Sequence, residues 1–287
     1  MREQNYLDNL VGVIGHPVAE NPGVVIQEAA FKELGLERWR FLTIDVKPEA
    51  LGDAIKGLKA FNMRGINCTI PHKVEVIKYL DEVAQSASLI GAVNTIINNN
   101  GRLVGENTDG KGFMISLESA GVNPEGKKTV ILGAGGAARA ISVEMALAGA
   151  RQITIVNRPE DRMMGEKLFK LLSETIKVET EYVDWTGKYK LPADADILVN
   201  ATSIGLYPNV DEIPNIDFES ITENIFVQDV IPNPAFTPFL REAEKRGARW
   251  QTGMGMLINQ AALNIEMWTG KTPNKKIMEK AFQEAIR

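Results

Sequence analysis

TVILGAGGAA, residues 129–138, runs from a β-branched, strand-like segment through a glycine-rich turn into an alanine-rich run. The first part reads as a buried strand and the last as a helix. The glycines therefore fall at a strand-to-helix turn, the context in which G-x-G-x-x-A signals a dinucleotide site. Gly133 permits the tight turn, Gly135 lets a pyrophosphate approach the backbone, and Ala138 is small enough for the helix to pack on the sheet. Ala134, Gly136 and Ala137 complete the turn, whose helical N–H groups would face the phosphates. An ordinary strand–turn–helix is the competing reading.

Working outward, the next strand-like run, residues 152–156, ends at Asn157, followed by Arg158, Pro159, Glu160, Asp161 and Arg162. An acidic residue at such a tip accepts a ribose 2′-hydroxyl, whereas an arginine accommodates a 2′-phosphate. Arg158 and Arg162 suit the phosphate; Glu160 and Asp161 oppose it. Both NAD and NADP stay open as the cofactor. Further strand and helix patterns alternate from residue 112 to 230, which argues for a parallel sheet with helices on its faces. Before residue 105 the pattern also alternates, but 93–98 and 102–105 flank an Asn-Asn-Asn-Gly hairpin turn, so an antiparallel excursion is expected. Residues 74–83 read as one helix, 112–120 as another, and the tail as two more.

Composition narrows the chemistry. A chain of 287 residues suggests two domains, and 44% hydrophobic with 24% charged residues suits a folded core. One cysteine, Cys68, excludes an intrachain disulfide framework, and two histidines argue against a Cys/His zinc site, so no metal is expected. The net charge of −5 and the absence of a basic stripe speak against nucleic-acid binding. No apolar run approaches the ~20 residues of a membrane span. The amino terminus carries Arg2, Glu3 and Asp8 and is not a secretory signal. A cytoplasmic protein acting on a small molecule is the simplest expectation.

Three polar segments are harder to explain by packing: Asn67–Lys73 at a strand end, Asn94–Thr95 at the hairpin, and Asn107–Gly110 at the domain junction. Lys73 and Asp109 would make a proton-transfer pair. Taken singly, Lys73 could be a solvated lysine, Asp109 a helix cap and Asn94 a turn residue. His72 reads as a surface or packing histidine and Cys68 as a small buried residue.

These segments resemble the shikimate dehydrogenase family, which includes quinate-specific enzymes. N-x-T-x-P-x-K matches residues 67–73, G-A-V-N-T matches 91–95, N-T-D-G matches 107–110, and G-A-G-G-A matches 133–137. N-R matches 157–158, N-A-T-S-x-G matches 200–205, and G-x-G-M-L-x-x-Q-A matches 253–261. The resemblance implies an α/β fold: an N-terminal αβ substrate domain, residues 1–109 rejoined by helices 253–287, and a Rossmann-like doubly wound nucleotide domain, 110–252. It implies reversible hydride transfer between NADP or NAD and a hydroxylated cyclic acid, shikimate or quinate first, in aromatic amino acid biosynthesis, and a homodimer. By matching positions, Lys73 is the acid/base and Asp109 its partner. Thr69, Asn94 and Gln260 would hold substrate hydroxyls, and Thr202 and Gly253 would contact the cofactor.

One loop departs from the family. G-x-P-x-x-H-S-x-S-P, whose two serines bind the substrate carboxylate, here begins at Gly15, with Glu20 at the histidine position and Asn21 and Gly23 at the serine positions. Pro232 replaces the tyrosine of D-x-x-Y-N-P. Two hydroxyl donors are gone and a negative charge is added, so a paralogue acting on another small alcohol or ketone is the alternative. A non-catalytic NAD(P)-binding sensor is a second, which the retention of Lys73 and Asp109 disfavours.

Overall fold

The computed structural model describes residues 6–286. The chain divides into two compact units, one up to Thr108 and from Gln260 onward, the other Asp109–Asn259.

In the first unit, β1 (Asn9–Gly15) pairs in parallel with β2 (Trp39–Asp45), and α1 (Gly23–Glu33) joins them. Helix α2 (Leu51–Ala60) buries Leu51, Ile55 and Leu58, one helical stripe, and leads to β3 (Gly65–Cys68), parallel to β1 on its other side. The chain then departs from the single helix expected over 74–83. Helix α3 (His72–Glu75) passes into a 3₁₀ turn, and β4 (Glu82–Val83) is a short strand. The physical reason is the lack of an apolar stripe: Val76 is buried but Val74 is exposed, and the backbone of Asp81 and Ala84 instead bonds to Leu103 and Gly105. Helix α4 (Gln85–Ile90), absent from the sequence reading, precedes the expected hairpin of β5 (Thr95–Asn99) and β6 (Arg102–Glu106). The sheet order is β2-β1-β3-β5-β6-β4, with β5 antiparallel to β3 and β6.

Helix α5 (Thr108–Ser119) starts four residues before the 112 expected, so Asp109 lies inside its first turn and is not its cap. The second unit then alternates β7 (Lys128–Leu132), α6 (Gly136–Leu147), β8 (Gln152–Asn157), α7 (Arg162–Lys170), β9 (Glu179–Asp184), β10 (Ile197–Asn200) and β11 (Phe226–Asp229). Helix α8 (Pro238–Lys245) and β12 (Arg249–Gln251), both unread in the sequence, complete it. All six strands are parallel in the order β12-β11-β10-β7-β8-β9. Chain order reverses between β7 and β10, the doubly wound arrangement. Alternate residues explain both covered faces: Ile131, Ile197 and Val199 enter one core cluster, Val130, Leu132 and Leu198 the other.

Helix α9 (Met254–Thr269) carries the chain back, and α10 (Lys275–Ala285) packs on α1. The return falls at Gln260, later than the 253 read from sequence. Met256 is buried in the second unit's core and the Asn259 amide donates to the Gly112 carbonyl, which ties the start of α9 to that unit.

Candidate functional site

The second unit holds a cavity of about 490 Å³ at the strand reversal, within the range of ligand pockets. Gly133, Ala134, Gly135, Asn157, Arg158 and Thr202, six of the residues expected to contact a cofactor, line it. Gly133 adopts φ +99°, a left-handed conformation, and a β-carbon there would lie 3.1 Å from the Thr202 methyl. Around Gly135 and Gly136 such an atom would meet nothing within 4 Å, and α6 begins without a side-chain cap. Open backbone and an uncapped helix N-terminus fit a dinucleotide pyrophosphate. Gly136, Ala137, Arg162 and Gly253 lie off the cavity lining. Arg162 pairs with Asp184, and Gly253 is buried where any side chain would strike the Val230 backbone at 2.3 Å.

At the β8 tip the Asn157 amide donates to the carbonyls of Arg158 and Asp161, which shapes the turn. Asp161 ion-pairs with Arg158 and holds its guanidinium firmly charged. Met164, Trp185 and Asn215 also line the cavity and were not read from the sequence, and Ser203 and Ile204 entered only within the 200–205 match. Trp185 follows the C-terminal end of β9 and donates its indole N–H to the Asn215 carbonyl at 2.9 Å. Counting to the end of the third parallel strand would have found it.

In the first unit, Thr69 in the turn after β3 and Lys73 in α3 are both half-buried. His72 is buried and bonds through Nε2 to the Val46 carbonyl at 2.7 Å, anchoring that turn as a packing histidine. Cys68 is also buried; burial pushes its thiol up to about 12, against the pull of the Lys73 charge, so it is no nucleophile at neutral pH. The Val93 N–H donates to the Lys73 carbonyl at 2.7 Å and brings Asn94 alongside.

Asn94 is the centre of a buried network rather than a turn residue. Its amide donates to Thr108 Oγ1 at 2.9 Å, and its carbonyl accepts the Thr108 N–H at 2.7 Å. Thr95 and Thr108 hydroxyls both reach Asn264 Oδ1, at 2.7 and 2.9 Å, and Asn264 donates to Gln260 Oε1 at 3.2 Å. Asn67 donates to Thr95 Oγ1 at 3.0 Å. Sequence reasoning missed Asn264, although its i, i+4 spacing from Gln260 on a helix was the available signal. At the start of α1, Asn21 Oδ1 accepts the Gly23 N–H at 2.9 Å, and Glu20 is exposed.

Among the described residues no cluster of His, Cys, Asp and Glu could hold a metal ion, and no helix is long and apolar enough to cross a membrane. Residues 13–96 match the shikimate dehydrogenase substrate binding domain, and residues 253–281 match the shikimate 5′-dehydrogenase C-terminal domain. A shikimate dehydrogenase (NADP(+)) of Methanopyrus kandleri is 44% identical over 97% of this chain and 96% of its own. Among solved structures, the ligand-free 5-ketofructose reductase of Gluconobacter sp. strain CHM43 is 45% identical, with TM-score 0.93 over 98% of this chain and 100% of that one. The shikimate 5-dehydrogenase of Listeria monocytogenes, in complex with shikimate and NAD, is 31% identical, with TM-score 0.89 over 99% of both chains.

Proposed function

The chain belongs to the shikimate/quinate dehydrogenase-like family, and we propose that within it the protein is an NAD(P)-dependent oxidoreductase of shikimate- or quinate-like hydroxylated cyclic acids. The observation that carries the substrate class is the array of buried Asn94, Thr95, Thr108 and Asn264 with half-buried Gln260, joined to the Lys73 segment through Val93. Such an array of amides and hydroxyls is chemically matched to a ring bearing several hydroxyl groups.

The bound nicotinamide supplies the hydride acceptor, or in the reverse direction the donor. Lys73, as the neutral amine, takes the proton of the substrate hydroxyl; as the ammonium it returns that proton to the ketone oxygen. Asp109 is its carboxylate partner, and Thr69, Asn94 and Gln260 orient the ring hydroxyls. Arg158, on the cavity lining, would hold a 2′-phosphate, while Asp161 would accept from a free 2′-hydroxyl; relatives with NADP(+) and with NAD support either cofactor. A cytoplasmic setting agrees with the single buried cysteine. A homodimer follows from the resemblance, and light scattering checks it.

The test is nicotinamide absorbance with NADP+ or NAD+ against shikimate, quinate and other cyclic hydroxy acids. Turnover with at least one is expected; cofactor binding without turnover of any acid defeats the reading. A second reading is favoured by the loop before α1. Asn21 spends its carbonyl on Gly23 and Glu20 adds a negative charge, so this end suits a neutral polyhydroxy ketone better than a carboxylate. The likeness to a 5-ketofructose reductase supports that reading, and keto sugars in the same assay separate the two.

A further inference from the structure

Asp229 ends β11 beside Asn200, its register partner at the end of β10, and is fully buried. Neither residue lines the cofactor cavity, but Ala201, Thr202, Ser203 and Ile204, which follow Asn200, do. Asp229 Oδ1 accepts from the Asn200 amide and from the Ile231 N–H, each at 3.1 Å, and Oδ2 accepts from the Thr237 hydroxyl at 2.7 Å. Thr237 in turn caps α8 by accepting the Leu240 N–H. On the other side, Asn200 Oδ1 accepts the Thr202 N–H at 3.2 Å and the Thr202 hydroxyl at 2.7 Å, and Thr202 Oγ1 accepts the Ile204 N–H at 3.1 Å.

A carboxamide has two unlike ends. An ionised carboxylate accepts only, so it admits the Asn200 amide nitrogen and leaves the Asn200 carbonyl facing Thr202. We propose that Asp229 is the positioning residue of the cofactor site: it fixes which way Asn200 points, and Asn200 then fixes the 201–204 turn that forms the cavity wall. The proposal rests on reading the cavity as the dinucleotide pocket. Burial lifts the Asp229 carboxyl to about 6 in spite of its donors, so ionising it is unfavourable. An apolar residue here would avoid that penalty, and the carboxylate's value lies in the orientation it imposes.

Calorimetric titration of NADP+ and of NAD+ into the full-length protein, without substrate, tests this directly. Asp229→Ala is expected to weaken the preferred cofactor about tenfold, the scale of one lost charge-assisted hydrogen bond. Asp229→Asn can still present one oxygen to Asn200 and Ile231, so it should stay within about threefold of the parent. Asn200→Ala, which leaves Asp229 its other two donors, should lose as much as Asp229→Ala, and the double variant no more than either, as coupled residues behave. If Asp229→Ala does not fold, Asn200→Ala decides alone. Unchanged affinity in the folded variants overturns the proposal, as does strict additivity in the double variant. A merely structural role would lower the fraction of active protein and leave the dissociation constant of the rest unmoved. No binding of either cofactor to the parent protein would instead defeat the reading of the cavity.

Discussion

On the proposed function, the two units would recognise their ligands with different materials. In the second, the surface offered to a ligand is largely backbone: a left-handed Gly133, open glycines at 135 and 136, and an uncapped helix start. In the first, the Lys73 turn adjoins an array of side chains, Asn94, Thr95, Thr108, Asn264 and Gln260, locked to each other by their own hydrogen bonds. Backbone recognition reads what every dinucleotide shares, its pyrophosphate. Side-chain recognition reads hydroxyl positions and can be respecified by single replacements, the role proposed above for the loop holding Glu20, Asn21 and Gly23. A 5-ketofructose reductase and a shikimate 5-dehydrogenase share this architecture, in keeping with one fold serving different substrates.

The largest expected effect separates chemistry from cofactor binding. Lys73→Ala should lower turnover by ~10²–10⁴, the contribution of a positioned acid/base. The cofactor dissociation constant should move by less than about twofold, because the substitution lies in the other unit. Steady-state kinetics with parallel calorimetry measures both. A near-normal rate would place the proton transfer on another residue.

The converse substitution is Gly133→Val. At φ +99° a β-branched residue is a true outlier, and its β-carbon starts 3.1 Å from the Thr202 methyl. Cofactor affinity should fall about tenfold or more, equivalent to ~1.4 kcal/mol and upward. Binding of the parent strength would show that the backbone at this turn is not what recognises the dinucleotide.

The same contrast explains what the sequence made legible. The central strands β7, β8 and β10 are largely apolar and buried, and a glycine turn follows β7, so β7, α6, β8, β10 and the cavity residues at 133–135 and 157–158 could be read locally. The first unit's array could not, because Thr95 meets Asn264 across 169 positions of chain and only the fold joins them. Asn94 was open to reading as a turn residue for that reason. Helix α3 and strand β4 were misread because tertiary pairing with β6, invisible in local periodicity, draws the chain out of a helix after Tyr79. Asp229 was read only as part of a motif, since its partner Asn200 lies 29 positions away on the neighbouring strand.

A more modest effect probes how respecifiable the first unit is. Asn21→Ser with Gly23→Ser should raise kcat/KM for a cyclic hydroxy acid about tenfold, as two hydroxyl donors return. Gly23→Ser alone should gain less, because its β-carbon would sit 2.8 Å from the Asn21 side-chain oxygen and must displace it from the Gly23 N–H that it now holds. Kinetics on the single and double variants distinguishes these outcomes. A flat response in the double variant would mean that the acid group is held elsewhere or that the substrate has none.

The smallest effect concerns charge. The network of the first unit, from Asn94 to Asn264, is built of neutral amides and hydroxyls, whereas that of the second has an ionisable centre in Asp229, whose partners Asn200, Ile231 and Thr237 are neutral groups. Its carboxyl sits near 6 in the folded protein against an ordinary 3.8. Between those values the folded state holds a proton that the unfolded state has released, so this group's contribution to stability falls as pH rises through the window. Asp229→Asn cannot ionise and removes that slope. Thermal melts of parent and variant at pH 4 and pH 7 should show the variant gaining on the parent as pH rises, after allowance for the Thr237 hydroxyl losing its acceptor at both pH values. A constant difference between the two proteins would mean that the carboxyl titrates near its ordinary value, and that ionising it in the second unit's interior carries no penalty.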